Sequence, residues 1–450
     1  MKNNDVDILI VGAGASGAAA AWNLSSKNYK IVCLEQGPFL KKNSYSFDRT
    51  DWEKLKQKEF NINPNIRNLK SDYPIDDSNS PISIANFNAV GGSTILYSGH
   101  FPRFHPSDFK TKTLDNTGDD WPFNYRDLEP FYKINDKIMG IAGVSGDPAY
   151  PDISKLNPPV PLGLAGEKIA KGFNKLGWHW WPSYSAIATK NYKGRKKNSR
   201  ASVDKTYWPL AISKGVELRP NCRVIKITLD NFGKTNGVVY LDINNKEQFQ
   251  KASLVILACS GIGTPRLLLN SANKYFPEGL ANSSGLVGKN LMLHPLGYVE
   301  GRFNKFLGSF IGPEGCCLAS QEYYETLKGA KHKRGYTMQV LRGTGPLETA
   351  FSARKFKHLS FGKDFHKQFS KHYGHNMSLA IICEDFPEKQ NSVELDYNNK
   401  DSGGMPGVKI NYKISDNSKK MLSHGISKAK EIMKEIGAKS IVAFGPVRHT

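Results

Sequence analysis

A chain of 450 residues with 39% hydrophobic and 23% charged residues has material for two or three domains' worth of buried core, and it is not a disordered polymer. Its formal net charge of +21 comes from lysines scattered along the whole length, the pattern of a solvated surface and not of a nucleic-acid or membrane footprint. No run of about 18 apolar residues occurs, so no transmembrane helix is expected, and the start lacks the positive leader and unbroken apolar core of a secretory signal.

Residues 7–11 are a short β-branched run and read as a buried strand. The turn Gly12-Ala13-Gly14-Ala15-Ser16-Gly17 follows, then good helix formers over 18–24 and a second apolar strand over 29–34 that ends at Glu35. This is a βαβ unit in the first position of a doubly wound fold. Residues 40–80 are polar and read as a long excursion with little regular core. A helix is predicted within 121–143, with Leu128, Phe131, Tyr132, Ile134, Ile138 and Met139 on its apolar side. The prolines and glycines of 144–163 make a loop, and the dense basic run from Lys190 through Arg195 to Arg200 reads as another, exposed.

Residues 216–230 and 237–242 alternate like strands, with a turn over 234–237. A buried strand over 253–258 precedes a helix over 261–271 that carries Pro265 in its first turn. From 295 onward the pattern is one of irregular strands and loops. The exception is a helix over 416–436, with Asp416 as N-cap and a stripe of Leu422, Ile426, Ala429, Ile432, Met433 and Ile436. The six cysteines form no CxxC pair; Cys33 and Cys259 fall in apolar runs read as strands, which fits a reducing compartment.

Gly12, Gly14 and Gly17 make a GxGxxG between strand and helix. The first glycine allows the tight turn, the second lets backbone approach a pyrophosphate, and the third allows close helix–strand packing. Glu35 ends the next strand 18 residues after Gly17, near the spacing of roughly 20 expected for an acid that accepts hydrogen bonds from ribose hydroxyls. Its charge would repel a 2′-phosphate, which argues against NADP. This motif alone does not choose between NAD and FAD.

Two later segments make that choice. Asn88-Ala89-Val90-Gly91-Gly92-Ser93-Thr94 is a second glycine turn, and ACSGIGTPRLLLNSA, from Ala258 to Ala272, is a third strand–turn–helix. With Trp121-Pro122, the segment from Gly285 to His294, and Glu384-Asp385-Phe386-Pro387 followed by Asn391-Ser392-Val393, the chain resembles the glucose–methanol–choline (GMC) oxidoreductase family from about residue 5 to its end. The branch it is most similar to is that of bacterial sugar, sugar-acid and polyol dehydrogenases.

The resemblance implies an α/β architecture: a Rossmann-like FAD-binding domain over 1–294, with excursions about 40–85 and 150–215, and a substrate domain on an antiparallel sheet over 295–450. It implies FAD held by Gly12, Gly14, Ala15, Ser16, Gly17, Glu35 and Gln36 at the ADP half. Gly91, Gly92 and Ser93 run along the pyrophosphate and flavin, Val224 contacts adenine through its backbone, and Ala258, Gly261 and Thr264 close the adenosine side. Some relatives attach flavin to a histidine at the position of Leu96, so non-covalent FAD is expected here. The cysteine-rich segment that membrane-linked relatives carry near 190–205 is absent.

The implied reaction is oxidation of a CH–OH group of an alcohol, polyol, sugar or sugar acid, with hydride passing to flavin and a histidine taking the hydroxyl proton. In the family that histidine lies in an HxxGTxRMG segment. The chain ends at Gly445-Pro446-Val447-Arg448-His449-Thr450, about where that segment begins, so a substrate domain incomplete at its C-terminus is expected, with no catalytic residue within 1–450 and His449 just upstream of the motif. No metal is expected, since His372 and His375 lack an HExxH context. His294 reads as structural, His100 and His105 belong to an aromatic loop, and Trp178, Trp180 and Trp181 read as core packing.

The alternative is a non-catalytic FAD-binding protein of the same fold. An NAD-dependent dehydrogenase is disfavoured by the later glycine turns, and no motif supports a nucleic-acid binder. Dehydrogenase and oxidase stay equal alternatives, the electron acceptor is left open, and a partner subunit is compatible with the family. A cytoplasmic location is expected, with a periplasmic route through a partner subunit as the alternative.

Overall fold

The computed structural model describes residues 5–41, 44–46, 49–67, 69–355 and 359–447. The chain opens with β1 (Val6–Val11), α1 (Ala15–Leu24) and β2 (Ile31–Leu34), then the short helices α2 (Trp52–Leu55) and α3 (Pro64–Arg67) and the strand β3 (Ile75–Asn79). After α4 (Thr111–Asp115), α5 (Tyr125–Met139), α6 (Gly163–Leu176), β4 (Trp181–Pro182) and α7 (Tyr207–Ile212) come β5 (Glu217–Arg219), β6 (Arg223–Leu229), β7 (Thr235–Leu241), β8 (Glu247–Leu257) and α8 (Ser260–Asn270). The last third holds β9 (Leu296–Arg302), β10 (Gly315–Ser320), β11 (Tyr336–Arg342), α9 (Pro346–Lys355), α10 (Phe365–His372), β12 (Asn376–Cys383), β13 (Ser392–Lys400), β14 (Pro406–Asn411), α11 (Asp416–Glu435) and β15 (Ser440–Phe444).

The strands form three sheets. In the first, ordered β5-β2-β1-β8-β7-β6, the four strands from β5 to β8 are parallel and β8, β7 and β6 continue as an antiparallel meander. β1 is apolar from Ile8 to Val11 because both its faces are covered there, while Asp7 near its start is exposed. Ile8 and Ile10 pack with Ala18 and Ala21 of α1, and Val6, Leu9 and Val11 pack with Val224, Val238 and Leu267. The outer edge of β8 over residues 253–257 meets no further strand among the described residues, and Leu254 there is exposed.

The second sheet, β15-β9-β12-β11-β10-β4, is antiparallel throughout. One face packs on α11 and α6 around Val299, Met338, Leu379, Ile381, Leu422 and Met433. Small residues bring helix and sheet together: a Cβ on Gly297 would lie 2.9 Å from Leu422, and one on Gly301 would lie 2.7 Å from Met433. The opposite face carries a cross-strand row, Phe444, Tyr298, Ala380, Gln339, Ala319 and Trp181, fixed by register. The third sheet pairs β13 with β14, and β14 with β3 in parallel, so chain from either side of residue 294 meets in one sheet.

Several sequence expectations are corrected. The excursion after residue 40 is not coreless, because Tyr45, Trp52, Phe60 and Phe87 cluster there; aromatics so spaced leave no periodic trace. The turn between β6 and β7 sits at Asp230, whose carboxylate accepts from the Phe232 and Lys234 amides, and Gly237 belongs to the strand. The region from 295 onward is a regular sheet with two more helices. It was illegible because strands such as β10 are buried along their whole length and show no alternation. In α5, Phe131 and Ile134 face solvent, so the buried stripe is narrower than expected. Ser415, not Asp416, caps α11, its hydroxyl accepting from the Ser418 amide, while Asp416 pairs with Lys419 in the first turn. Within the basic run, Arg195 and Arg200 are buried and donate to the carbonyls of Met139 and Tyr97. Cys259 lies beyond the end of β8, at the N-cap of α8.

Candidate functional site

The first glycine turn is held by the backbone of one residue. The Ala13 amide donates to Glu35 Oε2 at 2.7 Å, and the Ala13 carbonyl accepts from the Gly91 amide at 3.0 Å and from the indole Nε1 of the fully buried Trp208 at 2.9 Å. Gly12 has φ +101, and a Cβ there would lie 2.5 Å from the Ala258 carbonyl oxygen. A Cβ on Gly17 would strike the Gly12 carbonyl, the close packing expected of the third glycine. Gly14 is different: its φ is −74, and the nearest atom to its Cβ position is Gly92 Cα at 4.0 Å. In turn, a Cβ on Gly92 would lie 2.9 Å from Gly14 Cα, so the two glycine turns run backbone against backbone.

Helix α1 begins at that point with no side-chain cap and no acid in its first turn. Its first amides, at the positive end of the helix dipole, are left for an anionic ligand. Glu35 is buried, and its other oxygen accepts from the Gly37 amide at 2.9 Å. Burial pushes its carboxyl up to about 7, against the lowering effect of these amide bonds.

A cavity of about 260 Å³ opens between these parts. Of the residues expected at the site, Gly12, Gly14, Ala15, Ser16, Glu35, Gln36, Gly92, Ser93, Val224 and Ala258 line it. Gly17 lies beneath the turn, and Gly91, at φ +110, shapes the second turn from behind. Gly261 and Thr264 border a separate groove with Pro265, Leu268 and Met292. Helical spacing explains this: on α8, residues 260, 263 and 267 turn toward the cavity, and 261, 264 and 268 turn away.

Tyr73, Asn86, Phe87, Asn88, Arg266 and Met405 complete the cavity wall, and sequence reasoning did not find them. They stand on an aperiodic excursion, on α8 and before β14; Asn88 and Arg266 fell inside recognised motifs without being singled out. Leu96 ends the short 3-10 turn Gly92–Ile95. His100 is half-buried beside Ser183 and pushed down to about 4 by desolvation, and His105 stacks on Tyr324; neither lines the cavity. Trp178, Trp180 and Trp181 pack against the cores as expected. His449 lies outside the described residues. The described residues contain no cluster suited to a metal ion and no helix long and apolar enough to cross a membrane.

An open helix N-terminus, two abutting glycine turns and a carboxylate at the end of the second strand fit the ADP half of a dinucleotide. The family profile described as GMC oxidoreductase matches residues 6–296. The chain belongs to the GMC oxidoreductase family. GMC oxidoreductases are FAD flavoproteins. This GMC chain is 38% identical to 2-methyl-1,2-propanediol dehydrogenase of Mycolicibacterium austroafricanum, over 97% of its own length and 82% of that protein's. It is 24% identical to the fructose dehydrogenase large subunit of Gluconobacter japonicus, over 97% and 84%. Among solved structures, a formate oxidase of Aspergillus oryzae superposes with a TM-score of 0.65 at 15% identity, over 96% of this chain and 81% of that one. A pyridoxine 4-oxidase from Mesorbium loti gives 0.62 at 14%, over 97% and 82%. These two show the fold alone.

Proposed function

We propose that this GMC oxidoreductase holds FAD without a covalent link and oxidises a CH–OH group of an alcohol or polyol, with a 1,2-diol the first substrate class to test. The observation that carries the reading is the backbone-to-backbone approach of Gly14 and Gly92 over the open end of α1, which keeps the space there free of side chains for a diphosphate. The substrate class rests on the likeness to the diol dehydrogenase across nearly the whole chain.

Bound FAD would supply the two-electron acceptor. Gly14, Ala15 and Ser16 would hold the diphosphate through backbone amides, while the Gly12 amide stays bonded to the Leu34 carbonyl; Glu35 would accept from the ribose hydroxyls, and Val224 and Ala258 would flank the adenosine. The division of labour is a cofactor part over 1–294 and a substrate part over 295–450, with β3, β13 and β14 tying one to the other. Within the substrate part, the sheet face bearing Tyr298, Ala380 and Gln339 would border the substrate, since α11 and α6 occupy the other face. Leu96 offers no nucleophile, which supports a dissociable flavin. The six free thiols support a cytoplasmic location, and a relative named as a large subunit supports a partner subunit.

The test is the visible spectrum of the FAD-incubated, desalted protein. A band near about 450 nm, the chromophore of the cofactor itself, is expected, and acid precipitation should release all of it to the supernatant. Flavin left in the pellet would contradict the non-covalent assignment. In a form that carries the family's HxxGTxRMG histidine to take the hydroxyl proton, anaerobic addition of 2-methyl-1,2-propanediol should bleach the band. Bleaching by NADH and by no alcohol would contradict the substrate class.

A further inference from the structure

The cavity has a roof that is not part of the doubly wound unit. Tyr73 and Asn86 to Asn88, from the excursion after residue 40, close it from above. Inside the excursion, Asn86 Nδ2 donates to the Tyr73 hydroxyl at 3.3 Å, Asn88 Nδ2 donates to Asp72 at 2.8 Å, and Arg67 pairs with Asp72 while donating to the Asn86 carbonyl.

What fixes this roof to the rest is a buried ionic cluster. Asp401 is wholly buried and accepts from Arg266 at 2.6 Å, Arg223 at 3.0 Å and the Gly403 and Met405 amides. The Arg266 guanidinium also donates to the Pro406 carbonyl at 2.7 Å, and its carbon lies 4.2 Å from the centroid of the Tyr73 ring. Arg223 reaches the Lys70 carbonyl on the other side. Three separate segments, α8, the 401–406 turn and the excursion, thus converge on Arg266. Two guanidiniums share one carboxylate, so the cluster leaves positive charge beside the cavity, suited to an anionic dinucleotide.

We infer that Arg266 is a positioning residue for the cofactor: through Asp401 and Tyr73 it keeps the roof closed over the dinucleotide. This rests on the proposed FAD reading. A planar fork that bonds at two edges while stacking on an aromatic face is a task for arginine that lysine does not reproduce.

The test joins hydrogen exchange with ligand affinity, measured on the whole chain for the wild type, Arg266→Gln, Arg266→Lys and Asp401→Asn. Arg266→Gln is expected to raise the dissociation constants of FAD and ADP at least tenfold and to speed exchange over residues 69–90, with β1 and α1 as protected as before. Arg266→Lys should fall between wild type and Arg266→Gln. Unchanged affinity in Arg266→Gln overturns the inference, and so does an undisturbed roof. If Arg266→Gln unfolds, Arg266→Lys and Asp401→Asn decide: loss of protection spread evenly over the chain in both would mean a merely structural role and overturn it. If the wild type binds neither FAD nor ADP, the cofactor reading itself fails, and the exchange pattern alone decides whether Arg266 holds the roof.

Discussion

Gly12 and Gly14 stand two positions apart, yet a methyl group would meet different fates on them. On Gly12 it would meet the Ala258 carbonyl in a left-handed backbone, and on Gly14 it would enter the cavity from an ordinary conformation. Gly12→Ala should therefore cost about 3 kcal/mol of stability, seen as a lower Tm. Gly14→Ala should leave Tm nearly unchanged and abolish flavin retention. Glu35 makes a second separation, by pH. In the cofactor-free protein its carboxyl rises from 4.5 to about 7, so folding takes up a proton between those values. Stability is then greatest below the lower value and falls as pH rises through the window. Thermal unfolding from pH 5 to 7.5 should show this fall, and Glu35→Gln should flatten it. Cofactor affinity should run the other way, tightening from pH 6 to 8 in the wild type as the ionised acceptor forms and staying flat in the variant. Trp208→Phe, which removes the indole donor to Ala13, should cost about 1–3 kcal/mol and weaken flavin binding with it.

Between elements, the clearest load falls on Arg334. Its guanidinium is fully buried and meets Asp108, Asp115, Glu325 and Glu384, joining the chain around α4 to the strands of the second sheet. Arg334→Met would strand these carboxylates and should cost about 3–5 kcal/mol at neutral pH. Burial already holds Asp108 and Glu384 above the usual carboxylate range. The deficit should therefore shrink as pH falls and the acids protonate, which thermal melts at pH 7 and 5 would show. The doubly wound start was legible in the sequence because its strand, turn and helix are contiguous and each glycine has one geometric reason. The roof was not, because Tyr73, Asn86 and Arg266 come together only through β3 pairing with β14, some 330 residues along the chain. α9 and α10 escaped notice as well, α9 because its apolar residues follow no helical period and α10 because its eight residues are too short a window.

For the molecule as a whole, the cavity should govern thiol chemistry. Cys33, Cys316, Cys317 and Cys383 are buried, whereas Cys222 and Cys259 are half-buried and line the cavity. A disulfide reagent should modify those two first, and slowly, because burial pushes both thiols up, Cys259 to about 12. ADP or FAD should protect them. The most direct measurement is a titration of FAD into the protein followed by flavin fluorescence, repeated with ADP as competitor and with Gly14→Ala. If the two glycine turns cradle the dinucleotide, binding will saturate at one flavin per chain, ADP will displace it, and the folded Gly14→Ala protein will bind none. Saturable binding that ADP does not displace, or that survives in Gly14→Ala, would contradict the assignment of this cavity.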